Sequence, residues 1–144
     1  ALVGREELKT YAAKVFYTGS YWCSAVPMAA AIACIKEMKK INAPKVMIKK
    51  GKKLWDGLVK IADGYGYDLL VTGVESMPTL RITNDKSMML HQDWCAECTR
   101  RGAFFTSHHN WFISAAHTDA DIQKTWDIAD DAFRAVKKKY GDEY

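Results

Sequence analysis

Two short segments carry residue types and spacings that could do chemistry. The first is Ser107-His108-His109-Asn110, followed by Trp111. Adjacent imidazoles in a polar loop can exchange protons near neutral pH or ligate a metal. The same four residues also read as a packed loop whose rings are partly satisfied by their neighbours. The second is Thr18-Gly19-Ser20, ahead of an apolar run that begins near Pro27. A small loop with a hydroxyl and exposed backbone N–H groups can hold a phosphate; the alternative is an ordinary turn. His108, His109, Asn110, Gly19 and Ser20 are therefore the candidate site residues.

Other constellations are set aside on chemical grounds. Cys95-Ala96-Glu97-Cys98 is formally a CxxC, but zinc needs a second ligand pair. His91, His108, His109 and His117 do not supply one at the expected spacing, so no metal site is expected. Two thiols one helical turn apart are read as packing groups. Asp130-Asp131 falls between core positions of a helix and reads as a solubilising face. The sequence has no G-x-S-x-G elbow, no G-x-x-x-x-G-K-[ST] phosphate loop and no G-x-G-x-x-G.

The elements that must position these residues follow from the apolar pattern. Gly4 to Ala13 reads as a short helix with Glu6 and Glu7 in its first turn, where the helix dipole favours anions. Val15-Phe16-Tyr17-Thr18 is β-prone. A helix is expected from about Pro27 to Ile41, small and apolar in its first half and so suited to close packing. Pro44 opens another, with Met47, Leu54, Leu58 and Ile61 on one stripe widened by Trp55 and Ala62, ending at Gly64 and Gly66. Leu69 to Gly73 and Thr79 to Thr83 read as strands, Ser87 to Arg101 as a helix ending at Gly102, and Ala103 to Thr106 and Trp111 to Ser114 as two further short strands. The last helix is capped by Thr118, with Asp121 close to a capping box, and buries Ile122, Trp126, Ala129, Phe133 and Val136. Short strands with helices on one side give an α+β class.

The chain has 144 residues, 49% hydrophobic and 26% charged, with 21 Lys+Arg against 17 Asp+Glu for a net charge of +4. That composition suits a folded domain and argues against disorder. Lys36, Lys39, Lys40, Lys45, Lys49, Lys50, Lys52 and Lys53 are split between two helices by Asn42-Ala43-Pro44, with Trp55 the nearby aromatic. They read as solvated helix surface and not as a nucleic-acid face. No membrane span or signal peptide is visible. The four cysteines are too sparse for a disulfide scaffold, so reduced thiols and a cytoplasmic location are expected. The chain opens Ala1-Leu2-Val3-Gly4 without an initiator Met, as expected of a piece cut from a longer protein.

The order of segments resembles a known family. Ala1-Leu2-Val3-Gly4-Arg5-Glu6-Glu7-Leu8, Thr18-Gly19-Ser20 and Pro27-Met28-Ala29-Ala30-Ala31 are similar to class III aminotransferases, which are fold-type I pyridoxal-phosphate enzymes. Arg101-Gly102-Ala103-Phe104-Phe105 and Ser114-Ala115-Ala116-His117-Thr118-Asp119-Ala120-Asp121-Ile122 resemble the end of the glutamate-1-semialdehyde aminomutase branch, where an R-G-[VA] strand precedes an S-x-A-H-T-x-x-D-I motif and a terminal helix.

The resemblance implies that residues 1–44 end the large cofactor-binding α/β domain. Residues 45–144 would form the small C-terminal domain, an antiparallel sheet covered by helices. It implies pyridoxal 5′-phosphate as cofactor, a homodimeric parent, and transfer of an amino group between an amino acid and a small carbonyl compound, whether by an aminomutase or a transaminase. In such dimers a Gly-Thr pair reaches the phosphate of the neighbouring subunit's cofactor; Gly19-Ser20 matches it and keeps the hydroxyl, while Cys23-Ser24 departs from the usual G-N-P or G-E continuation. His108, His109 and Asn110 become candidate walls of the substrate cleft. The Schiff-base lysine of the family lies upstream of the matched segment, and Lys9 and Lys14 follow it. No catalytic residue is therefore expected in this chain, which alone would be inactive and, with its apolar helix uncovered, self-associated. The alternative is a non-catalytic binding or interaction domain that keeps the small-domain fold.

Overall fold

The computed structural model describes residues 4–16, 19–21 and 23–141. The chain divides into two compact units, Ala1–Glu37 and Met38–Tyr144.

In the first unit, a 3₁₀ turn over Glu6–Leu8 runs into the short helix α1 (Lys9–Ala12). Glu6 and Glu7 sit in the first turn, and Lys9 pairs with Glu6 at 3.2 Å. The strand expected at Val15–Phe16 is not formed, and its second half, Tyr17 and Thr18, lies outside the described residues. Val15 and Phe16 are 60% and 86% exposed. β-propensity expresses fit to a paired, half-buried surface, and these two residues are exposed. Helix α2 (Ala25–Lys40) follows and closes in the second unit. It buries no residue.

The second unit holds the core. Helix α3 (Ala43–Gly64) opens with Pro in its first turn, where a missing N–H costs no helix bond. Leu54, Leu58 and Ala62 are buried, and Met47 and Ile61 pack against the same cluster. The helix ends in a Schellman motif: Tyr67 N–H donates to the Ala62 carbonyl at 3.0 Å and Gly66 N–H to Asp63 at 2.9 Å, with Gly66 at φ +79°. Gly51, halfway along α3, is where the next hairpin docks; a Cβ there would overlap the Glu75 carbonyl.

Strands β1 (Leu69–Val74) and β2 (Met77–Ile82) form an antiparallel hairpin across Glu75-Ser76, with Leu69 opposite Ile82 and Val74 opposite Met77. Pro78, Leu80 and Ile82 face inward by the period-2 alternation of a strand. Helix α4 (Met89–Arg100) begins after Asp85, whose buried carboxylate accepts from Ser87 Oγ at 3.0 Å and from His91 N–H at 2.8 Å. It ends like α3: Ala103 N–H donates to Cys98 at 3.0 Å past Gly102 at φ +101°. Helix α5 (Asp119–Tyr140) carries the full capping box, with Asp121 N–H donating to Thr118 Oγ1 at 3.1 Å and Thr118 N–H to Asp121 Oδ2 at 2.7 Å.

The expected strands at Ala103–Thr106 and Trp111–Ser114 are corrected to irregular extended chain. Trp111 and Ile113 N–H groups do reach the hairpin, donating to Pro78 of β2 at 2.8 Å and to Ser76 of its turn at 3.0 Å. Pro78 has no N–H to return, so a reciprocal ladder cannot form there. The side chains hold the segment instead. Phe105 and Trp111 stack at 4.0 Å, and Trp94 stacks on Phe105 at 5.4 Å and on Phe133 at 4.7 Å, tying the segment to α4 and α5. The class is α+β: five helices and one two-stranded antiparallel sheet among the described residues.

Candidate functional site

The irregular stretch from Ala103 to Ile113 alternates as an extended chain would. Phe105, Trp111 and Ile113 turn into the core, while Phe104 and Phe112 turn outward, 78% and 65% exposed. A cleft of about 410 Å³ opens between this stretch, the first turns of α5 and Leu54 of α3. His109, Asn110, His117, Asp121 and Thr125 bring polar groups to its lining. His108 is not among the lining residues; its ring meets Ser107 Oγ at 2.7 Å on the exposed side of the loop.

Hydrogen bonds fix the chemical face of each imidazole. His109 Nδ1 lies 2.8 Å from the Asn110 carbonyl, which only accepts, so the ring proton sits on Nδ1 and Nε2 is left as an acceptor. His117 Nδ1 accepts from Ser114 N–H at 3.2 Å, which puts the proton of the neutral ring on Nε2 as a donor. Asp121 Oδ2 is held by the Thr118 N–H and hydroxyl at 2.7 and 2.8 Å, and those bonds hold its carboxyl below the usual aspartate range. The lining of the cleft thus includes two imidazoles, an amide and a carboxylate beside an aromatic wall.

Lys50 stiffens this cleft from behind. Its ammonium donates to the Ala115 carbonyl at 2.7 Å and also to the His117 carbonyl, clamping the turn ahead of α5. Within its lysine run nothing in the sequence separates it from its neighbours. His117 and Asp121, by contrast, stand in the S-x-A-H-T-x-x-D-I pattern, a signal for lining residues that the loop histidines alone did not give.

Gly19 and Ser20 are exposed, and a Cβ built on Gly19 meets nothing within 4 Å. Thr18, the third member of that motif, lies outside the described residues. The turn that follows closes through Ser24 N–H donating to Tyr21 at 2.8 Å, with Cys23 in the left-handed region at φ 49°.

The thiols of the CxxC are buried in α4. Burial pushes Cys95 up to about 12 and raises Cys98 as well, so neither is a thiolate near neutral pH. Among the described residues no group of three His, Cys, Asp or Glu side chains is placed to hold a metal. No helix of the described residues is long and apolar enough to cross a membrane.

No protein-family model matches the chain. Against characterised proteins it is 35% identical over 140 residues to an aminopentol aminotransferase of Sphingopyxis macrogoltabida, a match that spans 97% of this chain and 33% of the relative. It is 27% identical to a 3-aminobutyryl-CoA aminotransferase of Cloacimonas acidaminovorans over 96% of this chain and 34% of that one. It is 29% identical to a glutamate-1-semialdehyde 2,1-aminomutase of Desulfatibacillum aliphaticivorans over 85% and 32% respectively. Among solved structures it superposes on the PLP internal aldimine form of the FumI protein of a Sphingopyxis species with a TM-score of 0.87 and 34% identity, covering 97% of this chain and 34% of that one. The chain spans about a third of the length of the relatives it matches.

Proposed function

We propose that this chain, a relative of pyridoxal-phosphate aminotransferases and aminomutases over nearly all its length, works as the C-terminal portion of such an enzyme. The carrying observation is the joint match in sequence and shape: 34% identity and a TM-score of 0.87 over 97% of the chain. The parent would be a class III, fold-type I enzyme, homodimeric and cytoplasmic. It would move an amino group between a small amino acid or amine and a carbonyl compound. Residues 1–44 would close its large domain and 45–144 would form its small one.

Pyridoxal phosphate, when bound, supplies the electron sink for chemistry at the amino-bearing carbon. Gly19 and Ser20 fit one edge of its phosphate. They are exposed, and the open side of Gly19 lets an anion approach the backbone. They do not enclose it, which suits a contact offered to a cofactor held mainly by other residues, as the partner-subunit role requires. Ser20 would donate its hydroxyl to a phosphate oxygen. His109 and Asn110 would line the substrate cleft, with His108 behind them on the loop. This chain's part is binding and orientation. Lys9 is occupied by Glu6, and Lys14 lies 5.8 Å from the Tyr11 ring centroid on the exposed surface; neither is proposed as a covalent cofactor anchor.

A second reading, a non-catalytic interaction domain, draws support from α2, where Met28, Ile32 and Ile35 are exposed. The two separate in one experiment. The full reading frame encoding this chain is expressed with pyridoxal phosphate and assayed with a panel of primary amines and a keto-acid acceptor. The enzyme reading predicts cofactor retention through gel filtration and amine-dependent formation of the aminated acceptor. A cofactor-free protein that transfers no amine would leave the interaction-domain reading.

A further inference from the structure

We propose that Lys50 is a positioning residue for the amino-transfer reaction: by holding the Ala115–His117 turn it sets where one wall of the cleft stands, and with it the fit of the substrate. The inference rests on the reading of this chain as part of an aminotransferase and of the cleft as its substrate site.

Of the eight lysines from Lys36 to Lys53, Lys50 alone is half-buried; the others are exposed. Lysine heads normally stay in water, so an ammonium drawn inward marks partners that offset its lost hydration. Those partners are two main-chain carbonyls of a single turn. Nζ donates to Ala115 at 2.7 Å and to His117 as well. Lys50 is not among the lining residues of the cleft, so it acts on a ligand only through what it holds.

The turn's own bonds are neutral and long. His117 N–H reaches the Ser114 carbonyl at 3.3 Å, Ser114 N–H reaches His117 Nδ1 at 3.2 Å and Ala116 N–H reaches Ser114 Oγ at 3.1 Å. Bonds of that length are weak, whereas those from an ammonium are shorter and about twice as strong. Lys50 therefore sets the position of the turn. His117 ends the turn and Asp121 follows through the Thr118 capping box; both line the cleft, so a displaced turn moves both.

The other end of the clamp is fixed. Gly51, the next residue of α3, lies against the Glu75 carbonyl, and the Leu54 carbonyl accepts from Trp126 Nε1 of α5 at 3.0 Å. Ala115 and His117 are only half-buried, so water can reach their carbonyls once the ammonium is removed. The fold should survive that loss while the position of the wall does not.

Charge is separable from the clamp. Lys53, bonded to Asp119 at 2.7 Å, holds that carboxyl below the usual aspartate range, helped by Lys50 and Lys49. Lys49 is bonded to neither carbonyl of the turn, so Lys49→Met removes a neighbouring charge and leaves the clamp in place.

The test uses the full-length product loaded with pyridoxal phosphate, with a primary amine and a keto-acid acceptor. Lys50→Met should raise KM for the amine about tenfold, the worth of a charged hydrogen bond, with kcat and cofactor affinity unchanged. Lys50→Arg, whose planar fork can donate to two carbonyls, should recover most of the loss, and Lys49→Met should match the wild type. Amide hydrogen exchange read by mass spectrometry gives a second readout: the peptide spanning residues 114–121 should exchange faster in Lys50→Met and at the wild-type rate in Lys49→Met. Should Lys50→Met fail to fold, Lys50→Gln, which keeps a polar head without the charge, is expected to shift KM and exchange in the same direction. Faster exchange with an unmoved KM would make Lys50 a structural staple and overturn the proposal. So would unchanged exchange, a fall in kcat or cofactor affinity as large as the rise in KM, or an equal effect of Lys49→Met. A wild type that transfers no amine sinks the aminotransferase reading and this role with it, while a transferring wild type with KM unmoved in the folded variant sinks this inference alone.

Discussion

Helices α2 and α5 use similar apolar residues at similar spacings and end in opposite environments. On α5, Ile122, Ala129, Phe133 and Val136 are at most 4% exposed. On α2, Met28, Ile32 and Ile35 repeat at intervals of four and three, yet each is more than half exposed. The difference lies in what surrounds the stripe. The opposite face of α5 is charged, carrying Lys124, Asp127, Asp131, Arg134 and Lys138, so only one side seeks burial. The first half of α2 is apolar all round, with Ala25, Val26, Ala29, Ala30, Ala31 and Ala33 between the larger residues. A stripe names the face that can be buried; stability comes only when a second surface meets it. The core of the Met38–Tyr144 unit provides that surface for α5 through Trp94 and Tyr67.

The sharpest way to break this contrast is to truncate one large residue in each helix. Phe133→Ala removes the ring on which Trp94 stacks and against which Tyr67 lies tilted, and should cost about 3–5 kcal/mol in urea unfolding. Ile32→Ala should change stability by less than about 0.5 kcal/mol, as surface substitutions do. Equal effects would mean that α2 is covered as α5 is.

A smaller effect is expected where the core is closed by the absence of a side chain. Gly51→Ala gains about 1 kcal/mol of helix propensity but drives a Cβ into the Glu75 carbonyl. Overpacking against backbone should win, for a net loss of about 1–2 kcal/mol with a displaced hairpin, read by unfolding and by shifts of the Val74 and Met77 amides. Next comes the start of α5. Thr118→Ala removes the hydroxyl half of the capping box, leaving the backbone N–H bond of residue 118 to Asp121, and should cost about 1 kcal/mol, whereas Thr118→Ser should restore most of it.

The most graded expectation concerns pH. Burial holds His91 below the usual histidine range, opposed by Asp85 and reinforced by Arg81 and His108. The unfolded chain therefore takes up the proton first. Stability should be full above the unfolded value of about 6.5 and fall as pH drops below it, levelling off beneath the depressed folded value. Urea midpoints between pH 7.5 and 5 check the slope, and His91→Asn should flatten it. A midpoint that rises on acidification would contradict the buried neutral ring.

How much of this was legible beforehand depended on whether the deciding interaction was local. The Thr118–Asp121 box, the glycine ends at Gly66 and Gly102 and the Leu54, Leu58 and Ala62 stripe of α3 are set by residues within a few positions of each other and formed as read, while Trp55, read as widening that stripe, is half-buried and outside the core cluster. The segment from Ala103 to Ser114 reads as two strands because Phe, Trp and Ile favour extended chain; what decides against a ladder at Trp111 is Pro78, more than thirty residues before it. Gly51 was invisible as a docking point because only the folded hairpin brings Glu75 to it. The cleft was half legible. His109 and Asn110 were named from their types, but Lys50 became a clamp only through carbonyls about 65 residues away, and His117 gained its donor role from one backbone N–H at Ser114.

The most direct test of the central proposal is the pyridoxal-phosphate dissociation constant of the full-length product, measured by fluorescence for the wild type and for Ser20→Ala. The account predicts saturable binding by the wild type and a dissociation constant raised about tenfold or more in the variant, the loss of one hydrogen bond to a charged phosphate. A wild-type product that binds no pyridoxal phosphate, or a variant that binds it equally tightly, would contradict it.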